Sequence, residues 1–87
     1  MHQIFGSSFK KKTAKLPKKI RQALADRLRL FVDNPFDPIL NNHKLHGVRR
    51  HQRSINVTGD WRLVYEQVDS DTIRLIDIDT HANLYGT

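Results

Sequence analysis

The sequence predicts an α+β domain in which two N-terminal helices pack on a small antiparallel sheet, in the order β-α-α-β-β-β. Three observations predict it. Ile20, Leu24, Leu28 and Phe31 recur at spacings of four, four and three, which lays one apolar stripe along a helix. Residues 53–57, 61–68 and 72–78 are rich in β-branched and aromatic side chains, and turn chemistry separates them: Thr58-Gly59-Asp60 and then Asp69-Ser70-Asp71. Links that short make antiparallel hairpins. Between the two regimes stands Asn34-Pro35-Phe36-Asp37-Pro38, where each proline biases its predecessor away from helical dihedrals.

The elements follow in order. Gln3-Ile4-Phe5 is a short apolar strand. Ser7 and Ser8 then offer capping hydroxyls to a helix running through Phe9 to about Lys15. Pro17 suits the first turn of the second helix, where a missing N–H costs nothing. Ala23 and Arg27 flank the apolar stripe of that helix, and Lys18, Lys19, Arg21 and Arg29 occupy its remaining surface. After the prolines, residues 41–50 form a polar connection with two histidines and three basic residues, long enough to be a functional loop. On the middle strand of the final three, alternation places Trp61, Leu63 and Tyr65 on one face and Arg62, Val64 and Glu66 on the other.

An 87-residue chain with 38% hydrophobic content is sized for one domain with one core, residues 1–87. Cysteine is absent, which excludes disulfides, thiolate catalysis and cysteine-ligated zinc. The N-terminus lacks the apolar run of a signal peptide, so the expected location is cytoplasmic. Charge is unevenly placed. Residues 1–50 hold 12 Lys/Arg against 3 Asp/Glu, a balance of +9, and residues 51–87 hold 3 against 6, a balance of −3. A basic half of this kind favours a polyanionic partner through phosphate neutralisation and counterion release.

The candidate chemistry collects at the end of the last hairpin. Pairing of the closing strands brings Asp60, Arg62, His81 and Tyr85 toward one end of the sheet. Histidine suits proton transfer near neutral pH because its reference pKa is about 6.5. His81 follows the last strand and either presents its ring at the sheet edge or caps the terminal turn. His43 lies 13 residues before Asn56 and 17 before Asp60 in the basic loop. Asp60 is a base, an orienter of a histidine, or a turn residue after Gly59. Tyr85 either leaves an aromatic ring available to a ligand at that end or docks the C-terminal segment on the sheet. Arg49, Arg50, Arg53 and Arg62 are candidates for bidentate phosphate contact. Lys10, Lys11 and Lys12, with Lys15, Lys18 and Lys19, form either a diffuse footprint for RNA backbone or a solvated helix face. His43-x-x-His46 lacks the cysteines or the HExxH helix that would make it a zinc motif, and no metal or cofactor is called for.

Taken together, the helical pair, the Asn34-Pro35 break, His43-Lys44-Leu45, Asp60-Trp61-Arg62-Leu63-Val64-Tyr65 and Asp79-Thr80-His81 followed by Leu84-Tyr85 resemble the RelE/ParE toxin superfamily, and within it the YafQ-type toxins. The resemblance implies a RelE-like fold and the toxin of a type II toxin–antitoxin pair. It also implies a ribosome-dependent endoribonuclease that cuts translated mRNA by metal-independent acid–base chemistry and is silenced by an acidic antitoxin protein. The free toxin is expected as a monomer, and the complex as a hetero-oligomer. His81, His43, Asp60 and Tyr85 fall on its catalytic positions. The chain departs from the pattern at Asn56, where YafQ-like toxins often carry a second catalytic histidine, at Asp77 in place of a frequent arginine, and at Asp79 in place of a common glycine. Those departures keep an alternative open: a superfamily member without nuclease activity, either a ParE-like gyrase inhibitor or a weakened relative acting by binding its antitoxin.

Overall fold

A computed structural model of the chain describes residues 1–85. Its elements are β1 (His2–Phe5), α1 (Ser7–Ala14), α2 (Lys18–Asp33), β2 (His43–Lys44), β3 (Arg53–Asn56), β4 (Trp61–Asp69), β5 (Thr72–Thr80) and α3 (His81–Tyr85), with 3₁₀ turns at Pro38–Leu40 and Gly47–Arg49. The α+β class and the two N-terminal helices are as predicted. The sheet has five strands in the order β1-β5-β4-β3-β2 and is mixed: β2 through β5 are antiparallel neighbours, and β1 joins the edge parallel to β5, His2 opposite Thr72 and Phe5 opposite Leu75. The two helices carry the chain to the far edge, three antiparallel steps bring it back, and the last strand closes on the first.

Helix starts differ from the expected ones by one position. Gly6 occupies the cap position of α1 and its carbonyl accepts the Lys10 N–H at 3.0 Å; Ser7 and Ser8 lie in the first turn, and no side chain caps it. Pro17 is likewise the residue before α2. Its φ of −53° and ψ of 144° aim the carbonyl at the N–H groups of Ile20 and Arg21, 2.9 and 3.1 Å away, so proline gives direction without wasting a donor.

One face of the sheet packs on the helices. Phe9, Leu24 and Phe31 meet Ile55, Leu63, Tyr65, Ile73, Leu75 and Ile78 there, and Ile20, Leu28 and Trp61 pack against them partly buried. Phe31 and Tyr65 touch edge to face at 4.9 Å between ring centroids. The Tyr65 hydroxyl bonds Asn42, whose Oδ1 also accepts the Arg53 Nε–H at 2.9 Å. Burial pushes the Tyr65 phenol above its ordinary value, with the Asn42 bond and the Arg53 charge opposing it.

A bulge in β5 decides what faces the other way. Ile73 and Leu75 point to the helices, and strict alternation from them would drive Asp77 into the core. Instead Val64 pairs with Asp77 and Tyr65 with Leu75, which leaves Ile76 without a partner. The phase therefore resets so that Ile78 is fully buried while Asp77 and Asp79 lie on the opposite face. On that face Ser54 and Val64 are also fully buried, outside the helix-side core. Here α3 lies against β5 and reaches Ser54 through the Tyr85 hydroxyl at 3.0 Å.

Candidate functional site

The connection 41–50, expected as a loop, is partly ordered by pairing. Asn41 adopts a left-handed conformation, φ 46° and ψ 48°, and turns the chain into β2, where His43 stands opposite Ser54 and Lys44 opposite Arg53. The main chain of Leu45 extends the pairing to Gln52, and the Gly47–Arg49 turn then returns it to β3. From the far end of the sheet, α3 approaches the same place. Thr80 caps it, its hydroxyl accepting the Asn83 N–H at 3.3 Å. The carbonyl of Asp60 holds the His81 N–H at 2.8 Å. The ring of Tyr85 meets that of His81 edge-on, 4.6 Å between centroids, and its hydroxyl is fixed on Ser54, the cross-strand neighbour of His43.

Between these elements lies a cleft of about 350 Å³ lined by His43, Lys44, Leu45, His46, Arg49, His81 and Tyr85. Three imidazoles, an ammonium and a guanidinium border it, and among the described residues no carboxylate does. Such a cleft attracts an anion and can move protons on it. His43 Nδ1 is 2.7 Å from the Asn41 carbonyl. A carbonyl only accepts, so Nδ1 carries the hydrogen, and the neutral ring keeps its lone pair on Nε2, as a general base requires. Among the described residues no group of three or more His, Asp or Glu side chains converges as metal ligands.

His43, His81, Tyr85 and Arg49 thus meet, and the other candidates lie elsewhere. Asp60 is exposed in the β3–β4 turn, and what it gives His81 is a main-chain carbonyl; its carboxylate does not line the cleft. Arg50 is exposed at the end of the Gly47–Arg49 turn and does not line the cleft. Arg53 lies on the helix side, bonded to Asn42 and placed over the Phe36 ring at 5.4 Å. Arg62 bonds the carbonyls of Thr58, Gly59 and Trp61, closing the β3–β4 turn. Lys10 borders an apolar groove between α1 and α2, Lys11 is exposed, and Lys12 is bound to two carboxylates. Asn56 Oδ1 is buried without a hydrogen-bond partner among the described residues. Sequence reasoning gave no role to Lys44 or Ser54 and considered His46 only as a metal ligand. The pairing of His43 with Ser54 is what brings them in.

Asp77 and Asp79, which departed from the expected pattern, share one cation. Lys12 Nζ lies 2.7 Å from Asp77 Oδ1 and 2.8 Å from Asp79 Oδ2. Burial pulls the Lys12 ammonium down, but its bonds to both carboxylates outweigh that and raise it above its ordinary value. Burial would raise Asp79, yet bonds from Lys12, Asn83 and the Thr80 N–H hold it below its ordinary value. A lowered carboxylate stabilises the fold above its unfolded pKa, and that contribution disappears as pH falls through the folded value. A raised ammonium stabilises below its unfolded pKa and fails as pH rises through the folded one. The link is therefore intact from the ordinary Asp value of 3.8 to that of Lys, 10.5, and is lost under acid below 3.8. Amide exchange of α3 is expected to accelerate on acidification below that point before the β4–β5 amides do; simultaneous loss would show that the link holds nothing locally.

Residues 2–86 match the family described as "Bacterial toxin of type II toxin-antitoxin system, YafQ". The chain belongs to the YafQ toxin family. It is a YafQ-like toxin of the RelE superfamily and of a type II toxin–antitoxin system. Its structure is similar to that of YafQ from E. coli strain BL21(DE3), TM-score 0.76 with 25% identity over 97% of each chain. Similar too is the toxin in the E. coli DinJ-YafQ complex, TM-score 0.73, 25% identity, 97% of each chain. The YoeB/ParE toxin from Agrobacterium tumefaciens shares the fold at 18% identity, TM-score 0.74, over 93% of this chain and 99% of that one. No curated protein sequence matches this toxin. No helix among its described residues is long and apolar enough to cross a membrane.

Proposed function

We propose that this YafQ-family toxin is an endoribonuclease that cuts mRNA on the translating ribosome, and that the cleft between β2 and α3 is its active site. The observation that carries the reading is the meeting of His43, His46 and His81 with Lys44 and Arg49 in a cleft that no described carboxylate borders. In this reaction His43 Nε2 removes the proton from a ribose 2′-OH, and the oxygen attacks the adjacent phosphorus. As the bond to the 5′-oxygen breaks, protonated His81 supplies the proton to the leaving group, so the products are a cyclic phosphate and a 5′-hydroxyl. Lys44, Arg49 and Arg50 stabilise the charge on the phosphorane. Tyr85 packs His81 in place, and Asp60 orients it through the main chain. Lys10 and Lys11 add a distant electrostatic contact to RNA backbone. An acidic antitoxin is the partner that the basic half would take, as the E. coli YafQ has been solved in complex with DinJ.

Mapping 5′ ends on a translated transcript tests the reading. Inducing the wild type is expected to produce ribosome-dependent cuts, and His81→Ala to remove them. Asn56, which supplies no proton-transfer group, favours the alternative of a weakened relative that acts by binding its antitoxin. A wild type that neither cuts nor arrests growth would establish that alternative, and growth arrest with intact mRNA and damaged DNA would establish a gyrase inhibitor.

A further inference from the structure

We infer that Lys12 is a positioning residue for His81, acting through Asp79 from a helix that does not touch the cleft. The inference deepens the nuclease reading and rests on it for its kinetic arm. Phe9, one turn earlier on α1, is buried in the core and anchors the helix, so the Lys12 ammonium is presented from a fixed base. It reaches Asp77 and Asp79, two residues apart on the outward face of β5. The two carboxylates do different things. Asp77 Oδ1 accepts its neighbour's N–H, that of Ile78, at 2.8 Å and stays within the strand. Asp79 spends Oδ2 on Lys12 and Oδ1 on the Thr80 N–H and the Asn83 amide, each at 2.8 Å. It thereby ties α1 to both ends of the first turn of α3: Thr80, which caps it, and Asn83, which the cap receives.

His81 lies between those two residues. The residue is exposed, and its ring packs at a steep angle on that of Tyr85, which α3 brings to it. A helix of five residues has almost no stability of its own, so the tertiary bonds at its start set where its first residue points. Three such bonds are present: the Asp60 carbonyl on His81 N–H, the Thr80 cap and the Lys12–Asp79–Asn83 chain. Of these, the last is the one that comes from α1, and at the other end of α3 the Tyr85 hydroxyl is held by Ser54 of β3. Lys12 also neutralises carboxylates that would otherwise add negative charge behind the cleft, where an RNA phosphate must enter. A lysine that contacted the RNA backbone would instead have a free ammonium, as exposed Lys11 does in having no ion pair among the described residues.

Lys12→Met keeps the length of the side chain and removes the charge; Lys12→Arg restores the charge. On ribosome-bound mRNA, Lys12→Met is expected to lower kcat on the order of tenfold with KM within about twofold, because a misplaced catalytic group costs rate rather than binding. Lys12→Arg recovers most of that loss, and Lys11→Met changes KM alone. Independently of any cleavage, the imidazole resonances of His81 are expected to move in Lys12→Met and return in Lys12→Arg, with those of His43 unmoved. Should Lys12→Met melt before wild type, Asp79→Asn, which keeps the side-chain shape and breaks the ion pair, reads the same two quantities. A rise in KM with kcat intact would overturn the inference in favour of direct phosphate contact, and unmoved His81 resonances would overturn it outright. A wild type that does not cleave removes the nuclease reading and leaves the resonance test standing.

Discussion

His43→Ala is expected to slow cleavage of ribosome-bound mRNA by roughly 10²–10⁴-fold while leaving the melting temperature unchanged, since that is what one positioned proton-transfer group contributes. The two halves of this expectation have separate causes. His43 is exposed on a two-residue edge strand, so its removal opens no cavity and leaves no buried polar group, and surface changes of that kind stay within about 0.5 kcal/mol. In the proposed reaction its contribution is chemical: the Asn41 carbonyl accepts the Nδ1 hydrogen and leaves Nε2 to receive the proton of the 2′-OH. His43→Gln, which keeps a polar side chain without a titratable group, should be as slow as alanine. Single-turnover cleavage and thermal melting of the same samples measure both. Asp60→Ala supplies the contrast. With its carboxylate outside the cleft lining and its carbonyl retained in the variant, it should lose far less. If Asp60→Ala proved the slower of the two, the base would be the carboxylate and the proton route given above would be wrong.

How much of this was legible in the sequence depends on how local each signal is. The α2 stripe was legible because Leu24 and Phe31 obey a period fixed by the helix itself, and both are buried. The β3–β4–β5 meander was legible because its turns are short and chemically distinctive. The parallel pairing of β1 with β5 was not, because the partner of Ile4 is Arg74, and no local pattern in four residues encodes an edge so distant. The bulge at Ile76 was hidden for a different reason: a two-residue apolar run, Leu75-Ile76, breaks alternation, but the sequence does not say which neighbour loses its partner. Missing the bulge left Asp77 and Asp79 looking like misplaced charge. In the structure they are the two ends of a bridge to Lys12.

The same distinction runs through the site. His81 and His43 were singled out by residue type together with the resemblance to YafQ-type toxins, and the structure brings both to one cleft. Arg53 and Arg62 were chosen on charge alone and proved to serve Asn42 and the β3–β4 carbonyls. A charge pattern states how many cations exist, and only packing states which of them remain available. Lys44 and His46 became part of the cleft because His43 pairs with Ser54, an interaction between segments that read as loop and strand.

Phe31→Ala should produce the largest loss of stability of any single change, about 3–5 kcal/mol. Phe31 is 1% exposed, sits at the C-terminal part of α2, and contacts the Tyr65 ring across the helix–sheet interface. Truncation removes the burial of a ring and leaves a void between two rigid layers that cannot close on it, because α2 is also held by Leu24 and the sheet by its ladder. It also strips the aromatic partner from Tyr65, whose hydroxyl positions Asn42 and, through it, Arg53. A domain of this size is stable by only about 5–15 kcal/mol, so the variant keeps a half or less of a modest total in the less stable case. At roughly 4–8 °C of melting temperature per kcal/mol, the drop is at least about 12 °C. Phe36 supplies the control: it is 67% exposed and its ring carries the Arg53 guanidinium, an interaction worth about 0.5–1 kcal/mol at an exposed site. Phe36→Ala should therefore melt within a few degrees of wild type. Equal destabilisation by the two variants would mean that α2 is not packed on the sheet as described. That outcome would also weaken the placement of Asn42 and of the β2 strand that carries His43, since both depend on the same layer.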